Sequence, residues 1–278
     1  MTDRFLMCAP HHFEVAYVIN PWMEGNVARC RNDAAAQQWN ALAALVGEVA
    51  RVDIIAPAAG VPDLVFTANA GLVLDNRFVL SRFRHPERQK EEPHFAKWFD
   101  KHGFDVLTLP PDVSFEGAGD ALFDRHYALL WMGHGHRTHA TCAPLLEQLL
   151  DIEVEPLELV NERFYHLDTC FCPLEGGYLM YYPTAFDATS QARIAARVPA
   201  ERRIVVGDED AFDFACNAVN SGSNIFLNRA STVLIGELHS RGFVVHQTEL
   251  TEFMKAGGSA KCLTLKLNEE RWPLRQVA

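Results

Sequence analysis

A thiol, an imidazole and two carboxylates stand at turn-rich points spread along this chain of 278 residues. Cys262 closes Lys255-Ala256-Gly257-Gly258-Ser259-Ala260-Lys261-Cys262. Glu116 opens Glu116-Gly117-Ala118-Gly119-Asp120, and His166 and Asp168 share His166-Leu167-Asp168-Thr169. Brought together, these groups suit nucleophilic attack on a cationic, amidine-like carbon. The carboxylates would hold a planar cation through paired hydrogen bonds. The thiolate would attack, and the imidazole would shuttle protons. Taken singly, the cysteine reads as a core residue, and a turn or capping role is the lesser alternative for each carboxylate. It is their coincidence that favours chemistry.

Such residues need a scaffold that makes them converge. Gly257, Gly258 and Ser259 let the backbone bend sharply before the thiol. Leu263-Thr264-Leu265-Lys266-Leu267 alternates like a strand, which places Cys262 at a loop-to-strand junction. His166 and Asp168 are two apart, so on an extended strand both would face one cleft.

A loose repeat of roughly 45–50 residues runs through the chain, in the range of cyclic or stacked architectures. Each copy reads turn, strand, short turn, strand, helix, closing strand. One starts at Asn69-Ala70-Gly71, with a helix over residues 94–102 and a closing strand from Phe104. Others start at Gly117, near Asp168 and at Ala218. The last has a helix over 230–240 that stops at Arg241-Gly242. The fifth is split: the strand after Cys262 joins an N-terminal strand over 14–19. A helix over 34–50 follows, with Trp39, Leu42, Leu45, Val46 and Val49 on one face, then a strand over 52–55. The expected architecture is α/β, with five ββαβ-like units around a pseudo-fivefold axis. The loops entering the units would carry Asn20, Asn69, Glu116, His166, Asp168 and Cys262 to that axis, within a single domain spanning 1–278.

Composition narrows the partners. The net charge of −11 argues against nucleic acid and against an anionic membrane, but not against a cationic small molecule. No apolar run approaches a membrane span, and the N-terminus does not read as a signal peptide. Seven cysteines without a regular framework fit reduced thiols in a cytoplasm. Gly133-His134-Gly135-His136-Arg137-Thr138-His139 holds three histidines. No cysteine or carboxylate beside them completes a usual metal set, and an anion-binding Arg137 fits the loop better. Cys170 and Cys172 lack Cys-x-x-Cys spacing and read as core. Arg88 lies in a polar turn, of interest only as a second carboxylate clamp.

Four segments together make the chain resemble the guanidine-modifying enzymes of pentein fold: Phe66-Thr67-Ala68-Asn69, Glu116-Gly117, His166-Leu167-Asp168-Thr169 and Gly257-Gly258-Ser259-Ala260-Lys261-Cys262. That superfamily contains arginine deiminases, dimethylarginine hydrolases and amidinotransferases. The resemblance implies a pentein-type α/β propeller. It implies Cys262 as nucleophile, His166 as general acid/base, Glu116 and Asp168 as guanidinium ligands, and Arg88 and Arg137 as a clamp on a substrate α-carboxylate. Asn69 stands where arginine deiminases carry Asp. With Tyr17-Val18-Ile19-Asn20-Pro21-Trp22-Met23, it makes the chain similar to the arginine dihydrolase branch, which includes the N-terminal domain of a cyanobacterial fusion enzyme. The ornithine-processing domain of that fusion is expected to be lacking here.

The expectation is therefore hydrolysis of arginine to ornithine, ammonia and carbon dioxide, with Asn20 at the substrate and no metal or cofactor. The rivals are an arginine deiminase, a citrulline hydrolase, a dimethylarginine dimethylaminohydrolase and a non-catalytic pentein binding protein. Expected partners are a small guanidino or ureido substrate and, at most, further copies of the chain.

Overall fold

The structure is a computed structural model and describes residues 2–271. It contains five three-stranded sheets of one pattern. The strands in chain order are β1 (Arg4–Cys8), β2 (Arg51–Ile55), β3 (Gly71–Leu74), β4 (Arg77–Leu80), β5 (Asp105–Leu107), β6 (Ala121–Phe123), β7 (Leu129–His134), β8 (Glu153–Glu158), β9 (Phe171–Leu174), β10 (Tyr178–Tyr181), β11 (Arg203–Val205), β12 (Val219–Ser221), β13 (Asn224–Leu227), β14 (Val244–Gln247) and β15 (Leu265–Lys266). In the sheet β3-β4-β5 the first pair is an antiparallel hairpin and the second pair is parallel. The sheets β6-β7-β8, β9-β10-β11 and β12-β13-β14 repeat this, and β15-β1-β2 completes it with strands from both ends of the chain.

A parallel step needs a crossover, and a helix supplies it in every unit: Asn32–Gly47, Glu92–Lys101, Cys142–Leu150, Ala188–Arg197 and Thr232–Ser240. Local chemistry sets their ends. Ser231 accepts from the Leu234 amide at the start of the last helix. Gly242, at φ 87°, turns the chain out after it. The helices expected over 34–50, 94–102 and 230–240 are present with no end shifted by more than three residues, and their apolar faces pack inward.

Three apolar clusters close the ring, each spanning neighbouring units. One joins the second, third and fourth units, another the fifth, first and second, and the last the fourth, fifth and first. The leading strands β3, β6, β9, β12 and β15 surround an axial cavity of about 50 Å³.

Two expectations fail here. The N-terminal strand is β1, not residues 14–19, which form no strand. In that loop Phe13 and Val15 face the core while Glu14 and Ala16 face solvent. The alternation is real but lacks a strand partner. β1, buried along nearly its whole length, has no alternation to reveal it. The strand after Cys262 is also shorter than expected, only Leu265–Lys266.

Candidate active site

Cys262 sits in a helical turn before β15, where the Leu263 amide donates to the Ser259 carbonyl. Asn217 fixes that turn. Its Oδ1 accepts from the amides of Ser259 and Cys262, at 3.1 and 3.2 Å. Its Nδ2 lies 3.2 Å from the Cys262 sulfur and donates to the Asp168 carbonyl at 2.9 Å. Gly258 is required by close approach, because a Cβ there would meet the Phe66 ring at 2.5 Å.

His166 and Asp168 do not lie on an extended strand. Residues Leu167–Thr169 form a 3₁₀ turn, so the two side chains diverge. Asp168 points at the thiol, with Oδ2 3.3 Å from Sγ. The Nε2 of His166 lies 2.7 Å from Glu116 Oε2. Asp120 braces both segments, accepting from the Leu167 amide at 3.0 Å and from the Thr138 hydroxyl at 2.7 Å. Thr138 in turn accepts from the Glu116 amide.

Asn69 donates to the Glu116 carbonyl at 3.1 Å and accepts from Arg88 at 2.9 Å. Only glycine fits at position 119 beside it, since a Cβ would meet its Nδ2 at 2.2 Å. Arg88 forms a bidentate pair with Glu91, both contacts at 2.8 Å, and approaches Asp63 at 3.8 Å. Arg137 donates to Glu116 Oε2 at 2.9 Å and to the Ile19 carbonyl at 3.0 Å, with its guanidinium over the Tyr165 ring. Asn20 donates to the Ala256 carbonyl and accepts from the Trp22 amide. Asn20, Asn69, Arg88, Arg137 and Cys262 line one narrow recess of about 10 Å³. Glu116, His166 and Asp168 do not line it; they are buried behind it, Glu116 against Arg137 and His166, and Asp168 against Cys262.

Burial would raise the Glu116 carboxyl, but Arg137 and then His166 outweigh it, so Glu116 is ionised. Burial depresses His166 to about 4 against the pull of Glu116, which leaves a neutral imidazole near pH 7. Its Nδ1 is buried without a hydrogen-bond partner among the described residues. Asp168 is raised to about 6 by burial, with Lys261 the main opposing influence. Burial and then Asp168 push the Cys262 thiol up. Near pH 7 the Cys262 thiol and the His166 imidazole are both neutral.

The other clusters stay apart from this chemistry. No group of three metal-ligating side chains is assembled among the described residues, His134, His136 and His139 included. Cys170 and Cys172 are free, buried core thiols. Sequence reasoning missed Asn217, Asp63, Glu91, Tyr165 and the bracing role of Asp120. Of these, Asp120 closes the Glu116 segment and Tyr165 directly precedes His166, whereas Asn217 and Asp63 lie outside every segment that chemistry had singled out.

Residues 19–268 match the family described as N,N dimethylarginine dimethylhydrolase, eukaryotic. The chain is 56% identical over 270 residues to the bifunctional arginine dihydrolase/ornithine cyclodeaminase ArgZ of Synechocystis, covering 97% of this chain and 38% of that protein. It is 38% identical to the N(G),N(G)-dimethylarginine dimethylaminohydrolase of Mycobacterium tuberculosis, over 96% of this chain and 86% of that one. Among solved structures, the substrate-bound N-terminal domain of ArgZ, an arginine dihydrolase, superposes with a TM-score of 0.96 at 55% identity. It covers 97% of this chain and all of that one.

Five like sheets around an axis, with this neighbour, make the molecule a pentein. The chain belongs to the dimethylarginine dimethylhydrolase family. It spans well under half the length of ArgZ.

Proposed function

We propose that the protein is an arginine dihydrolase, converting L-arginine to L-ornithine, two ammonia molecules and carbon dioxide by covalent cysteine catalysis. The observation that carries this reading is Asn69 seated among Arg88, Glu116 and the thiol recess, in a chain 56% identical to ArgZ. A neutral amide offers both a donor and an acceptor, so it tolerates a guanidinium and, turned over, the oxygen of a urea.

The chemistry runs in two rounds. The substrate guanidinium replaces that of Arg137 at Glu116 and lies against Asp168. Arg137 and Arg88 then turn to the α-carboxylate. The added positive charge favours the thiolate, whose proton passes to His166. Cys262 attacks the guanidinium carbon, and the departing nitrogen takes the proton from His166 and leaves as ammonia. Water attacks the thiouronium after giving a proton to His166. The carbon–sulfur bond breaks and citrulline forms. The second round repeats the attack on the ureido carbon and expels the second ammonia. Hydrolysis of the thiocarbamate then gives a carbamate that falls to ornithine and carbon dioxide. Glu116 holds His166 in place throughout.

No helix among the described residues is long and apolar enough to cross a membrane. A cytoplasmic setting agrees with seven free cysteines.

The test is product analysis with arginine, citrulline, dimethylarginine and agmatine as substrates. Ornithine and ammonia in a 1:2 ratio from arginine are expected, with little turnover of agmatine, which lacks the carboxylate. Citrulline as the final product would make the enzyme a deiminase. Preferential release of dimethylamine would give it the activity for which the family is described.

A further inference from the structure

The two arginines of the clamp are held differently. Arg88 has a carboxylate of its own in Glu91, with both contacts at 2.8 Å, and the proposed reaction leaves that pair alone. Arg137 is paired with Glu116, at 2.9 Å, and the substrate guanidinium has to take Glu116 from it. Arg137 is only 2% exposed. A buried cation stripped of its counter-charge is costly, so something must hold it until it meets the α-carboxylate.

Two contacts remain to Arg137 when Glu116 is given up. Its Nη2 donates to the Ile19 carbonyl at 3.0 Å. Its Cζ lies 4.5 Å from the centre of the Tyr165 ring. The face of an aromatic ring attracts a cation without dictating where each N–H points. The guanidinium can therefore turn over the ring and keep the attraction.

Tyr165 is built firmly into the recess, which it lines beside Arg137 and Cys262. Its hydroxyl donates to the Gly257 carbonyl at 2.8 Å, in the segment that leads to the thiol. Gly257 stands at φ 86°, and a Cβ there would meet that hydroxyl at 2.8 Å. On its other side the ring lies 4.6 Å from the imidazole of His166.

We propose that Tyr165 is a positioning residue for Arg137. Its ring carries the guanidinium through the exchange from Glu116 to the substrate α-carboxylate, and so sets the preference for substrates that bear one. The hydroxyl only anchors the ring to the turn before the thiol. The proposal rests on the reading of the substrate as an arginine-like amino acid. It is independent of whether hydrolysis stops at citrulline or at ornithine.

The experiment measures kcat/KM for arginine and for agmatine, by ammonia release, in the parent, Tyr165→Leu, Tyr165→Phe, Arg137→Ala and the double variant of Tyr165→Leu with Arg137→Ala. The arginine-to-agmatine ratio is the readout, because damage to the fold or to the thiol lowers both substrates together. In Tyr165→Leu the ratio should fall about tenfold, mainly through KM for arginine, as expected for a desolvated cation over a ring. Tyr165→Phe keeps the ring and should keep the ratio within about twofold of the parent, whatever it does to turnover of both substrates. With Arg137→Ala in place, adding Tyr165→Leu should change the ratio no further.

A parent-like ratio in Tyr165→Leu would overturn the proposal. So would an equal fall when Tyr165→Leu is added to Arg137→Ala, since the ring would then act without Arg137. A fall in Tyr165→Phe as large as in Tyr165→Leu would overturn it too, by assigning the effect to the hydroxyl. If Tyr165→Leu does not fold, Tyr165→Met removes the ring and carries the same comparison. A parent that takes agmatine as readily as arginine would defeat the clamp reading and this proposal with it. A selective parent whose selectivity survives Tyr165→Leu would defeat the proposal alone.

Discussion

Asn69 has both ends of its amide in use: Nδ2 on the Glu116 carbonyl and Oδ1 on Arg88. Asn69→Asp would keep the acceptor toward Arg88 and lose the donor. A carboxylate still matches a guanidinium, but it disfavours the oxygen of a urea. The citrulline-to-ornithine ratio during arginine consumption should therefore rise, and an unchanged ratio in an active variant would remove Asn69 from control of the second hydrolysis. Cys262→Ser should lose at least about a thousandfold in kcat, roughly 4 kcal/mol of barrier, because a serine hydroxyl at neutral pH is a far weaker nucleophile. In the proposed reaction Asp168 sets the acidic side of the pH profile. Raised to about 6, it gains a proton as the pH falls through that value and stops attracting the guanidinium. His166, depressed to about 4, titrates lower and contributes nothing to that limb. A profile of kcat/KM for arginine should thus decline below about pH 6.

Short turns rather than long elements aim the reactive side chains, and Asn217 shows how much one turn depends on a single amide. Its side chain makes four contacts, to the amides of Ser259 and Cys262, the Asp168 carbonyl and the Cys262 sulfur. Asn217→Ala should cost about 1–3 kcal/mol of stability through the buried groups left unpaired. It should also lower kcat by about a hundredfold with a smaller change in KM, since a misplaced thiol binds substrate but attacks it badly. Equal loss in both constants would assign Asn217 to binding instead. This residue was not legible in the sequence, because Ala215-Cys216-Asn217-Ala218 carries no pattern. Legible were the groups whose types already implied a reaction, Cys262, His166, Glu116 and Asp168, and the repeat that brings them together. Their contacts were not. The 3₁₀ turn that separates His166 from Asp168 leaves no periodic trace, and a short, almost wholly buried strand such as β1 leaves no alternation.

The ring makes the site a property of the whole molecule. Cys262 comes from the fifth unit, Arg88 from the first, Glu116 and Arg137 from the second and His166 and Asp168 from the turn that opens the third, and the closing sheet unites the first strand with the last. Leu6, fully buried in β1, sits where that closure is made: its backbone pairs with Leu265 and Asp53, its carbonyl accepts from Thr67, and its side chain lies in the cluster joining the fifth, first and second units. Leu6→Ala should destabilise the protein by about 2–5 kcal/mol through lost burial and the cavity left behind. Thr67 lies two residues before Asn69, and the Ala68 amide donates to the Cys262 carbonyl, so the damage reaches the site directly. If the five units unfold together, activity and far-UV circular dichroism should be lost at the same urea concentration in parent and variant, with the variant's midpoint lower. Activity lost well before the circular dichroism changes would mean that the fifth sheet opens by itself. The ring would then be five units in contact, and the dependence of the thiol on its distant partners would have to be carried by the local turns alone.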